Sequence, residues 1–177
     1  LGSDTSVLID CGLFQGAEAA GRELSNQQID FPIDTVKALF ITHCHIDHVG
    51  RLPWLLAAGF DGPVYASEAT ARLLPLVIED ALKLGVTRDK QLIDKVIHRL
   101  KQMLVPLKYG VWLSTPSGQS DVNQALKVRY QPAGHILGSA YIEFKYQGEI
   151  IVFSGDLGAL YAPLLPAPRS PWRADRL

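Results

Sequence analysis

With 177 residues and a formal net charge of -1, the chain can bury the core of one domain, and it has no global positive field to attract a polyanion. Its two cysteines, Cys11 and Cys44, exclude a disulfide framework and favour a reducing compartment. No apolar run reaches the ~18 residues of a membrane helix and no signal peptide is visible, so a cytoplasmic location without membrane contact is the default expectation.

Val7-Leu8-Ile9 predicts a short buried strand that delivers Asp10 to a turn at Cys11-Gly12. Alone, such an Asp is as readily a turn or cap residue as a functional one. Residues 15–37 are polar and glycine-containing; they read as loop with one helical turn, Phe31-Pro32-Ile33 packing down. The apolar run from Ala38 to Thr42 predicts a strand, and it ends on His43-Cys44-His45-Ile46-Asp47-His48. Three imidazoles and a carboxylate are a costly polar concentration beside a buried strand. These groups are good ligands for zinc and similar divalent ions. If the chain is still extended at His43 and His45, a period of two puts both on one side, with Cys44 turned towards the core. Asp47 and His48 are neighbours and converge only if the chain turns, as Gly50 and Pro53 suggest, Pro53 opening a short helix through Ala58. One pair from a strand end and one from the following turn could hold two metals.

Gly62 to Ala66 predicts another strand. Ser67 is a candidate N-cap for a helix running to Leu84, ended by Gly85 and kinked or divided at Pro75. Thr87 or Asp89 opens a second helix, whose apolar face repeats through Leu92, Ile93, Val96, Ile97, Leu100, Met103 and Leu104. Lys95 and Arg99 on the other face read as solvated rather than phosphate-binding, and His98 as a surface residue. The second half turns to short strands at 111–113, 125–130, 140–146 and 149–154, with a hairpin turn at Gln147-Gly148. An α/β first half and a β-rich second half predict two packed sheets flanked by helices.

Two further chemical residues stand at strand ends in this half: His135 in Ala133-Gly134-His135-Ile136-Leu137-Gly138-Ser139-Ala140, and Asp156 in Ser154-Gly155-Asp156-Leu157-Gly158. Either alone is ordinary. Together with Asp10 and the histidine run they put four of the five histidines and two aspartates in loops at strand ends, where layered α/β domains place their sites.

In that order, these residues resemble the metallo-β-lactamase superfamily, an αββα sandwich. The loops Leu8-Ile9-Asp10-Cys11-Gly12-Leu13-Phe14-Gln15-Gly16, 133–140 and 154–158 are similar to those of its RNA-processing branch, the β-CASP nucleases. The helical pair at 67–104, followed by Pro106-Leu107-Lys108-Tyr109-Gly110, is similar too. The resemblance implies His43, His45 and His135 on one metal, Asp47 and His48 on a second, the Asp156 carboxylate bridging the two, and Asp10 orienting the ligands without binding metal. It implies zinc as the metal, two ions in the full-length protein and one or two in this chain. Asp47, His48 and Asp156 would also be the catalytic groups. Two ions ~3.5–4 Å apart can activate a bridging hydroxide and clamp a scissile phosphate, so the implied reaction is hydrolysis of a phosphodiester in RNA, or in DNA.

The departures are as specific. No histidine follows His135 to complete the second metal that the resemblance implies, and the resemblance leads one to expect the first strands of the fold before Leu1 and the β-CASP cap beyond Leu177. Residues 1–177 are therefore expected to be a partial domain that binds its second metal weakly and cleaves little RNA. A thioester hydrolase of the glyoxalase type is an alternative, because the fold hosts many chemistries. A non-catalytic RNA-processing scaffold is another; the retained ligands weigh against it.

Overall fold

The computed structural model describes residues 1, 4–16, 27–115 and 125–177. Its first half is a parallel sheet in the order β1 (Ser6–Ile9), β2 (Val36–Phe40), β3 (Val64–Ser67) and β4 (Leu104–Leu107). Two short helices, α1 (Ile46–Val49) and α2 (Leu52–Ala57), follow β2. Two longer ones, α3 (Glu68–Gly85) and α4 (Lys90–Met103), connect β3 to β4. The second half is an antiparallel meander of β5 (Leu113–Ser114), β6 (Lys127–Pro132), β7 (Ala140–Tyr146) and β8 (Glu149–Phe153).

Alternation along β2 and β3 explains the layering. Leu39, Ile41, Val64 and Ala66 face the helices, against Leu74, Ile78 and Leu82 of α3 and Ile93, Ile97 and Leu100 of α4. Ala38, Phe40 and Tyr65 face the other way, against Val128, Tyr130, Ile142 and Phe144 of the second sheet. Both faces of the parallel sheet are thus buried, which is why its strands read as continuous apolar runs. Phe40 stacks on Tyr65 at 4.8 Å and meets Phe144 edge-on at 4.9 Å. The outcome is helices, parallel sheet, antiparallel sheet: three layers of the αββα sandwich, with no helix on the outer face of the second sheet among the described residues. No described helix is long and apolar enough to cross a membrane.

Local chemistry sets the element ends. The Ser67 hydroxyl accepts from Thr70 N at 3.2 Å to cap α3, and Asp89, not Thr87, caps α4 by accepting from Gln91 N and Leu92 N. Pro75 does not divide α3: it lies in one continuous 18-residue helix. Its buried ring sits on the core face with Leu74 and Ile78, whose burial offsets the roughly 3 kcal/mol that an interior proline costs. Strand β4 is an addition to the sequence reading, which carried the apolar periodicity of α4 through Leu104. It is an edge strand, the position that tolerates Pro106. The expected helical turn within 15–37 falls largely on residues outside those described. Gln147 and Gly148 take φ of 50° and 85° in the turn between β7 and β8.

Candidate metal centre

Strand β1 ends at Asp10, which is held at a φ of 56°, a left-handed conformation that Asp adopts more easily than most residues. This turns its carboxylate sideways onto the neighbouring strand end. Oδ1 accepts from Thr42 N at 2.8 Å, and Oδ2 accepts from Thr42 Oγ1 at 2.7 Å and from His48 Nδ1 at 2.8 Å. The next residues clamp the histidine run from behind. Cys11 N donates to His48 O at 2.7 Å, and a Cβ on Gly12 would lie 1.4 Å from Asp47 O. Only glycine lets the two backbones approach this closely.

Beyond β2 the chain carries fully buried His43, then His45 in extended conformation at the N-cap of α1, then Asp47 and His48 inside that helix. His43 Nε2 lies 3.1 Å from His45 Nδ1, which lies 3.0 Å from His135 Nε2. Asp156 Oδ2 is 3.4 Å from His135 Nε2 and 3.8 Å from His43 Nε2. One donor atom from each of His43, His45, His135 and Asp156 falls within 4.8 Å of the other three. The other oxygen of Asp156, Oδ1, is 3.4 Å from His48 Nε2, which is in turn 3.8 Å from Asp47 Oδ2. All seven residues singled out in the sequence therefore form one chain of contacts, with Asp156 between two groups of donors. Cys44 stays out of it: its thiol is buried in the helix-side core, directed at Thr70 O, and burial pushes its pKa up to about 12. His98 is exposed beside Gln102, and Arg99 donates to Phe60 O.

The donor set fits a cation. The hydroxyl proton of Thr42 is committed to Asp10, so the 3.0 Å contact between Thr42 Oγ1 and His43 Nδ1 requires the imidazole N–H to donate. Asp10, an acceptor, likewise requires the Nδ1–H tautomer of His48. Both Nε2 atoms are then bare and face the cluster. His45 Nδ1 meets two imidazole nitrogens at once, and a single proton there could serve only one of them well. Burial, then the neighbouring His48 and His45, push the His43 pKa down to about 4, so it is neutral at pH 7, the form that ligates. The hydrogen bond to Asp10 raises that of His48.

The third imidazole reaches the cluster through two residues that sequence reading passed over. Ser139 Oγ accepts from His135 N at 3.0 Å and Ile136 N at 3.2 Å, fixing the loop that carries His135. Thr42 joins the halves: its carbonyl accepts from Ala140 N at 2.9 Å. The available signal was a hydroxyl close in sequence to a candidate ligand, Thr42 directly before His43 and Ser139 four residues after His135.

Two packed sheets, the parallel one covered by helices, with imidazoles and carboxylates gathered at their strand ends, are the architecture of a metallo-β-lactamase-type fold. The family described as the metallo-β-lactamase superfamily matches residues 1–176, and the chain belongs to it. The relatives it matches carry names from RNA cleavage and transcription termination. It is 40% identical to a ribonuclease of Thermus thermophilus, over 96% of this chain and 36% of the relative. It is 33% identical to a transcription termination factor of Methanocaldococcus jannaschii, over 87% of this chain and 24% of the relative. It is 30% identical to cleavage and polyadenylation specificity factor subunit 3-II of Arabidopsis thaliana, over 85% of this chain and 24% of the relative. The chain thus spans from about a quarter to just over a third of the length of these proteins.

Proposed function

We propose that this chain carries the metal-binding half of a zinc-dependent ribonuclease site, and that the protein containing it hydrolyses RNA phosphodiesters. The observation that supports the reading best is the Asp156 carboxylate, with Oδ2 towards the imidazoles of His43 and His135 and Oδ1 towards His48. His43, His45 and His135 would hold one zinc, Asp47 and His48 the other, and Asp156 both. The relatives' names point to RNA as the substrate class. When bound, such a pair supplies Lewis acidity towards the scissile phosphate and acidifies water for attack on phosphorus.

The chain's own residues prepare that chemistry. Asp10 and Thr42 keep the Nε2 atoms of His43 and His48 free of protons. Burial keeps His43 neutral and rigid. Gly12 and the loop at Asp10 fix the start of α1, so that Asp47 and His48 are presented together. The retained donor set favours an enzyme over a non-catalytic scaffold.

The test uses the full-length protein loaded with zinc and a labelled single-stranded RNA, with DNA of the same sequence alongside. Metal-dependent RNA cleavage, lost in Asp156→Ala with the fold intact, is the expected result. Full metal occupancy without hydrolysis of RNA would overturn the reading.

A further inference from the structure

Thr42 is buried to 1% exposure at the junction of the two halves of the site, and every polar atom it has is engaged. Its N–H donates to Asp10 Oδ1, its carbonyl accepts from Ala140 N, and its hydroxyl donates to Asp10 Oδ2. The remaining capacity of the hydroxyl is as acceptor, and the nearest donor is His43 Nδ1 at 3.0 Å; His48 Nδ1 stands further off at 3.5 Å. Gly155, at a φ of +50°, presses on the other side, where a Cβ would lie 2.8 Å from Thr42 Cβ and 3.0 Å from its Oγ1. The rotamer is therefore held from both flanks, by the Asp10 turn and by the turn that carries Asp156.

We infer that Thr42 is a positioning residue: as an acceptor fixed by Asp10, its hydroxyl selects the Nδ1–H tautomer of His43 and so keeps the Nε2 lone pair aimed at the metal. Neutral imidazole places its proton on either nitrogen, and in a dry site the hydrogen bond at the far nitrogen decides which. Without the hydroxyl, His43 Nδ1 would face an apolar methyl. The proton would then move to Nε2, where His45 Nδ1 at 3.1 Å would accept it. That proton occupies the place of the metal. The same hydroxyl also completes an unbroken chain from His43 through Thr42 and Asp10 to His48, so one side chain links the two donor groups.

This rests on the metal-site reading above, and the test separates the two. In the metal-free chain, nitrogen-detected NMR reports the His43 tautomer directly; zinc affinity is measured separately by competition with a chromogenic chelator. Wild type and Thr42→Ser, which keeps the hydroxyl, should show Nδ1–H. The near-isosteric Thr42→Val should show Nε2–H and bind zinc about 10–100-fold more weakly, the range for lost outer-shell partners. Thr42→Val with an Nδ1–H His43 and wild-type zinc affinity would overturn the inference, as would Thr42→Ser losing as much affinity as Thr42→Val. If Thr42→Val does not fold, the tautomer in the wild type decides: Nε2–H there is fatal to the proposal. A wild-type chain with Nδ1–H that binds no zinc would instead sink the metal-site reading and leave the tautomer assignment standing.

Discussion

At Asp10 a single carboxylate accepts from a backbone N–H, a hydroxyl and an imidazole at 2.7–2.8 Å. Asparagine is the same size, but only one of its two terminal atoms accepts. If its oxygen faces Thr42 Oγ1 and His48, its NH2 meets the Thr42 N–H, donor to donor. In the other flip, the NH2 faces His48 Nδ1 and drives the imidazole proton to Nε2. The first leaves a buried donor unsatisfied, a loss of about 1–3 kcal/mol, and the second puts a proton on the His48 nitrogen that faces the cluster. Asp10→Asn should therefore weaken zinc binding about 10–100-fold, most at the donor group that contains His48. Zinc titration of the variant against wild type checks this, and unchanged stoichiometry and affinity would rule it out. The role proposed for Asp10 was legible in the sequence only through resemblance, since an Asp after a strand is as readily a turn residue as a functional one. Its hydroxyl partner could not be read at all. Thr42 looks like the last residue of an apolar strand until the position of Asp10, 32 residues away, is known.

Between elements, the two donor-bearing loops of the second half depend on a backbone contact. Gly158 N donates to Ala133 O at 2.8 Å, and a Cβ on Gly158 would lie 1.8 Å from Gly134 O. The loops that present His135 and Asp156 could not lie side by side with any larger residue there. Gly158→Ala should push them apart, open the 3.4 Å contact between His135 and Asp156, and lower zinc affinity about tenfold or more. Gly148→Ala is the control. Nothing lies within 4 Å of its added Cβ, so only the φ of +85° is penalised. It should cost about 1 kcal/mol of stability and leave zinc affinity alone. Equal zinc affinity in both variants would remove the contact from consideration. Glycines like these were legible as turns but not as contacts, because close approach is a property of two segments and the sequence displays one at a time. The same limit hid β4: Leu104 continues the helical spacing of α4, and only pairing with β3 pulls it into the sheet. Pro75 is the converse, a local signal for a break that packing of the surrounding face overrode.

Across the whole molecule, the two sheets meet on aromatic rings, and Tyr130 ties them with a polar bond: it is fully buried, and its hydroxyl donates to Tyr65 O at 2.9 Å. Burial, and then the Asp10 charge, raise its pKa well above the ordinary value of 10.0. Tyr65, Tyr109 and Tyr141 are raised as well, each first by burial. For an acid whose pKa is raised by folding, the unfolded chain releases its proton first. Stability is therefore fully present below about pH 10 and falls as the pH climbs past it, by up to about 1.4 kcal/mol per pH unit for each such group. Tyr130→Phe removes one contributor at a modest penalty. The Tyr65 carbonyl it vacates still accepts from Ile41 N at 2.9 Å, so no buried group is orphaned, and the loss near pH 7 should be about 0.5–1.5 kcal/mol. Above pH 10 the variant should lose stability more slowly than wild type, and the two curves should converge. Urea unfolding midpoints of the metal-free proteins at pH 7 and pH 11 provide the comparison. Parallel decline would mean that Tyr130 ionises without unfolding, and that the interface between the sheets is wetter than its packing indicates.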